Sequence, residues 1–196
     1  MKKICIQSGF TLIETLVAIA ILMVAIAGPL NIAEKGLTTA VDSRDQVVAS
    51  YLAQDMMEFV KNVRDDNLEA SPVRAWLNGV SQCTVSSPCT AETATGDPNN
   101  LGTTVSSAPA CNFFSYPVVL DNSCRLYVDV QHNPGGYYTY NSTGNNQSTQ
   151  FYRTFYITQP TGADSDTALL NVSVYWTNGT ILNHVIEQTM IFNTTR

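Results

Sequence analysis

Charge is what this chain is short of. Asp, Glu, Lys and Arg make up 13% of its 196 residues, about half the share usual in soluble domains. The basic residues number only ten, are scattered, and face 16 acidic ones, for a formal charge of −6. A chain with that balance and no basic stretch is not built to bind a phosphate backbone, so no nucleic-acid partner is expected. Histidine is scarcer still: His132 and His184 stand far apart, with no carboxylate or Cys at ligand spacing. No Cys-x-x-C pair suggests a redox or zinc site. A Gly-rich phosphate loop and a nucleophile–base pair are also missing, so the chain reads as neither an enzyme nor a cofactor carrier.

What is present is concentrated at the N-terminus. Between Ile4 and Ala33 the one charged residue is Glu14, and from Phe10 to Leu30 the run is otherwise apolar or small. As a helix those 21 residues would span about 31 Å, enough to cross a bilayer core of about 30 Å. Lys2 and Lys3 lie on the short side, which keeps the N-terminus cytoplasmic and sends the C-terminus out. Two simple readings compete. One is a secretory signal peptide, with Ala25-Ile26-Ala27 before Gly28 as its cleavage site; the product would be a secreted binding module. The other is a plain membrane anchor. Neither has a use for Glu14, because a carboxylate in hydrocarbon costs a few kcal/mol unless it has a partner.

Gly9-Phe10-Thr11-Leu12-Ile13-Glu14, following a short basic leader and opening an apolar span, resembles the type III signal of bacterial type IV prepilins and type II secretion pseudopilins. The resemblance implies that prepilin peptidase cuts between Gly9 and Phe10 and N-methylates Phe10, leaving Glu14 as the fifth mature residue. It further implies an inner-membrane assembly platform and other pilin or pseudopilin subunits as partners. The location it implies is the inner membrane, crossed once, and then an extracellular or periplasmic filament. The electrostatics of such a motif are coherent. Cleavage would create an α-ammonium at Phe10, and Glu14 of an incoming subunit can pair with that of the one before. Each charge is costly alone in an apolar core, so pairing favours addition at a fixed offset. A local alternative is a capping box, Thr11-x-x-Glu14, and the two uses are compatible. One departure from the family pattern is Gly28-Pro29. It puts proline at the twentieth mature position rather than the twenty-second, and a kink or local melting is expected there.

Beyond Pro29 apolar residues recur mostly three or four apart: Leu37, Ala40, Val41, Val47, Val48, Tyr51, Leu52, Met56, Phe59, Val60 and Val63. This predicts an amphipathic helix to about Asn67, ended before Ser71-Pro72. From Pro72 to about Ala110 periodicity is lost and Ser, Thr, Gly, Pro and Asn dominate, which reads as an exposed loop region. Strand alternation then appears at Arg125–Val130, Phe151–Ile157 and Leu170–Trp176. In the last, Val172, Val174 and Trp176 share a face. Asn178-Gly179 predicts a hairpin into Ile181–Phe192, with Ile186, Met190 and Phe192 on one face. Asn133-Pro134-Gly135-Gly136 marks another turn. The expected fold class is α+β and pilin-like: a long N-terminal helix, half transmembrane and half amphipathic, packed on a C-terminal antiparallel sheet. The expected divisions are a leader at 1–9, a membrane and filament-core helix at 10–30, an amphipathic helix at 31–70, a variable region at 71–112 and a sheet head at 113–196.

Cys83, Cys89, Cys111 and Cys124 lie in the part predicted to be exported, where two disulfides are expected as structural staples. Of three possible pairings the local ones, Cys83–Cys89 and Cys111–Cys124, are preferred, since each closes a segment without helical or strand pattern. Asp164 and Asp166 form a D-x-D pair that lacks the glycine and distant glutamate of a calcium loop; a solvated turn competes with a weak metal site. Four short stretches, Tyr51–Glu58, Phe151–Thr154, Val172–Trp176 and Asn178-Gly179, are similar to minor pilins of the pilus modification-protein type and to minor pseudopilin I. The chain is therefore read as a minor subunit of a type IV pilus that initiates, tips or decorates the filament, or as a type II secretion pseudopilin.

Overall fold

The structure is a computed structural model that describes residues 11–93, 105–111, 113, 118, 120–130, 136–159 and 166–194. It divides into two units, residues 1–44 and 45–196. One helix, α1 (Leu12–Glu69), supplies all the secondary structure described in the first unit and opens the second. The helix runs through Gly28 and Pro29 without a break, so of the kink or local melting expected there, the melting does not occur. Proline removes one intrahelical bond. Asn31, just beyond it, folds its Nδ2–H back on the Ala27 carbonyl at 2.9 Å.

In the second unit α1 turns amphipathic. Asp45, Ala49, Leu52, Ala53, Met56, Met57, Phe59, Val60 and Asn67 are buried, at the three- and four-residue steps that put side chains on one helix face. The buried stripe starts later than the spacing predicts. Leu37 and Val41 are exposed, as are Val47 and Tyr51; the buried face begins at Asp45.

The sheet comprises seven strands among the described residues: β1 (Cys89–Ala91), β2 (Val105–Ser107), β3 (Arg125–Val128), β4 (Tyr138–Thr139), β5 (Gln147–Thr158), β6 (Thr167–Asn178) and β7 (Ile181–Phe192). β5, β6 and β7 form an antiparallel meander, with Val172 opposite Phe155 and Glu187. The other edge of β5 is shared by two small hairpins. β1 joins it at Phe155, and β3 joins it at Tyr152, Ser148 and Gln147. The β1–β2 hairpin lies in the segment read as loop. Three-residue strands are too short to show an alternating pattern. The predicted turn residues Asn133-Pro134-Gly135 lie outside the described residues.

One face of the meander packs on α1. Phe151, Phe155 and Ile157 from β5 and Leu170, Val172, Val174 and Trp176 from β6 meet Leu52, Met56, Phe59 and Val60 in a single core. Each such side chain contributes about 1.5–3 kcal/mol on burial. Trp76, Leu77 and Val80, from the turn after the helix, close this core. On the opposite face Tyr152 and Tyr175 are covered by Cys111, Phe113 and Cys124, with the Phe113 and Tyr175 rings 4.7 Å apart. Ile186, Met190 and Phe192 do share a face of β7, but it is not the core face, and they remain 42–49% exposed.

Candidate functional site

The N-terminal motif begins outside the described residues, where Gly9 and Phe10 lie. Thr11 stands at the head of α1 and accepts the first bonds: Glu14 N–H donates to its carbonyl at 3.1 Å and Thr15 N–H at 3.3 Å. Glu14 N–H also donates to Thr11 Oγ1 at 3.4 Å, the forward half of the predicted capping box. Glu14 itself sits in the first turn, where a negative charge favours the helix dipole. Every residue from Thr11 to Arg44 is exposed within the chain. That surface includes Leu12 at 79% and Val24 at 76%, on a helix long and apolar enough to cross a membrane. Apolar surface of this extent marks a membrane or protein contact. Glu14 is the single carboxylate on it before Glu34.

Among the described residues Cys83 pairs with Cys89 and Cys111 with Cys124. The first bridge lies against the sheet, since Cys89 opens β1 and Ile157 N–H donates to the Cys83 carbonyl at 2.8 Å. The second ties the segment that covers Tyr152 and Tyr175. Both thus fasten loops onto the two faces of one sheet.

Asp164 and His132 lie outside the described residues. Asp166 uses Oδ1 to accept from Asn193 Nδ2 at 2.7 Å, and its carbonyl takes the Asn193 N–H at 2.8 Å; it fastens the end of β7 to the start of β6. No group of three His, Cys, Asp or Glu side chains among the described residues is placed to hold a metal. His184 stacks on Tyr175 across the β6–β7 pair, with ring centroids 5.3 Å apart.

A polar centre in the head was not foreseen. Arg153 is fully buried on the core face of β5, between Phe151 and Phe155. Its Nη1 donates to Asp55 Oδ2 at 2.7 Å and to the Leu52 carbonyl at 3.0 Å, and its Nε to Tyr140 Oη at 3.1 Å. Tyr140 Oη in turn donates to the Arg153 carbonyl at 3.0 Å. Thr93 Oγ1–H donates to Asp55 Oδ2 at 2.6 Å. Burial alone would depress the Arg153 pKa, but Tyr140 and Asp55 outweigh it and hold the guanidinium charged. Burial raises the Tyr140 pKa, so its phenol stays neutral. The result is a charged clamp that locks the helix to the middle of β5. One signal for it was readable in the sequence: Arg153 has the same parity as the core residues Phe151 and Phe155.

Residues 5–28 match the family model described as the prokaryotic N-terminal methylation motif. Neither a curated protein nor a solved structure matches the chain.

Proposed function

From the N-terminal methylation motif that this chain shares with type IV pilins and pseudopilins, we propose that it is a minor pilin-like structural subunit of a type IV pilus. In this reading prepilin peptidase cuts between Gly9 and Phe10 and methylates Phe10. The apolar part of α1 first anchors the subunit in the inner membrane, with the head outside, and later enters the filament core. Glu14 sets the axial offset by pairing with the Phe10 ammonium of a neighbouring subunit. The head then presents its disulfide-tied loops at the filament tip or surface. The observation that carries this reading is the motif itself, which runs into a helix whose first 33 residues, Leu12 to Arg44, are exposed although largely apolar. A water-soluble domain has no stable use for such a surface, whereas a bilayer and then a ring of like helices each cover it.

The deciding measurement is the intact mass and N-terminal sequence of membrane-extracted protein. An N-methylated Phe10 start is expected. A start at Gly28 would mean signal-peptidase release of a secreted module and would overturn the filament reading. A type II secretion pseudopilin would share the Phe10 start and differ in which filament takes it up. Immunogold labelling of surface pili separates the two.

A further inference from the structure

Leu52, Asp55 and Thr93, three members of the clamp around Arg153, line an open pocket of about 400 Å³ in the head together with Val48, Tyr51, Tyr137 and Tyr138. Three features give it a chemical character. First, three of its seven lining residues are tyrosines, and Tyr51, on the outer face of α1, is 67% exposed. Second, the Asp55 bonds to Arg153 and Thr93 both use Oδ2, and the side chain stays 49% exposed. The carboxylate is therefore anchored through one oxygen and keeps an exposed side. Third, negative charge exceeds positive charge behind the walls. Glu92, next to Thr93 in the chain, accepts from Thr139 Oγ1–H at 2.9 Å and Tyr140 N–H at 2.8 Å through Oε1. Its Oε2 is removed from solvent and has no hydrogen-bond partner. Asp129 is buried beside the Tyr137 hydroxyl. Glu92 and Asp129 both act on Tyr137 and Asp55 lines the pocket, so among the described residues three carboxylates stand in or beside its walls against one guanidinium.

We propose that this pocket binds the side chain of a lysine presented by another polypeptide. An ammonium is attracted to the faces of aromatic rings, most strongly where water is partly excluded. Its four-carbon stem is accommodated by apolar surface such as Leu52. The carboxylate excess supplies the complementary charge, which disfavours an anionic ligand and leaves a neutral sugar without its counterpart. A quaternary ammonium has no N–H to donate to Asp55, so lysine is favoured over a choline-like headgroup.

The test uses the full chain in detergent micelles, titrated with Nα-acetyl-lysine amide, whose side-chain ammonium is free, and followed by NMR of labelled tyrosine rings. Saturable shifts of Tyr51, Tyr137 and Tyr138 are expected, and the Nε-acetylated probe, which lacks the charge, should produce none. Tyr51→Ala should weaken binding about two- to thirty-fold, the range of a cation–π contact, with no change in Tm because the side chain is largely outside the core. Glu92→Gln should weaken binding as well, while retaining the shape of the site. Absence of saturable shifts overturns the proposal. So does equal binding of the acetylated probe or of N-acetylglucosamine, tighter binding of choline, or an unchanged affinity in Tyr51→Ala.

Discussion

Leu12, Ile13, Leu22 and Met23, in the first part of α1, are 60–79% exposed, whereas Ala49, Ala53, Met56 and Val60, in its last part, are 0% exposed. Both stretches belong to one unbroken helix, and both are rich in residues that water rejects. The difference lies in the arrangement of the apolar residues. In the first part they surround the helix, and no element of the same chain can cover every side. In the last part they form one stripe, with Gln54, Asp55 and Glu58 on the outer side, and a single sheet suffices. A helix that is apolar all round is solvated by lipid or by other helices, so the first half is completed outside the chain and the second within it. Each half also carries a costly carboxylate, and the same contrast recurs. Asp55 meets Arg153 inside its own head. Glu14 is proposed to meet its cation on another subunit.

That contrast can be broken at either carboxylate. The largest expected effect belongs to Glu14→Ala. It should leave membrane insertion and cleavage intact and abolish incorporation, read as loss of the subunit from sheared filaments; normal incorporation would refute the pairing role. In the head, Asp55→Ala removes the partner of a fully buried guanidinium. It should cost about 3 kcal/mol, the low end for a broken buried pair because Asp55 is half exposed. Urea unfolding measures this, and incorporation should survive if the head still folds. The disulfides sharpen the comparison further, because they act only on the second unit. Replacing Cys111 and Cys124 by Ser should cost about 3 kcal/mol, and replacing Cys83 and Cys89 about 2 kcal/mol, as the chain-entropy estimate gives for the longer and shorter loops. Equal losses from the two pairs would point to packing rather than loop closure as the source. The smallest effect is expected at Gly179, whose φ of +62° in the β6–β7 turn disfavours any side chain. Gly179→Ala should cost about 1 kcal/mol, measurable as a lower urea midpoint with no change in membrane insertion.

Much of this was readable locally. The Asn178-Gly179 turn and the β6 face of Val172, Val174 and Trp176 follow from turn chemistry and from the two-residue period of a strand. The β1–β2 hairpin was not readable, because strands of three residues carry no period and owe their place to the edge of β5. The exposed face of Ile186, Met190 and Phe192 was not readable either. Alternation tells which residues share a face but not which face is covered. For β7, the core lies on the side of Ile191. Arg153 is the intermediate case. Its parity placed it on the core side, but the partners that make burial tolerable come from Asp55 and Tyr140, 98 and 13 residues away.

By itself, the sequence determined the apolar N-terminal helix, the methylation motif at residues 5–28 and the three long strands. All depend on contiguous spacing and on side-chain chemistry that acts over a few residues. Only the tertiary structure decided where the helix stops being exposed, which face of β7 is left open, and that Asp55, Thr93, Tyr140 and Arg153 form one polar centre, two of whose members line a pocket with three tyrosines. Those outcomes depend on contacts between distant segments, and such contacts form only once burial of a shared core has offset the entropy of bringing those segments together.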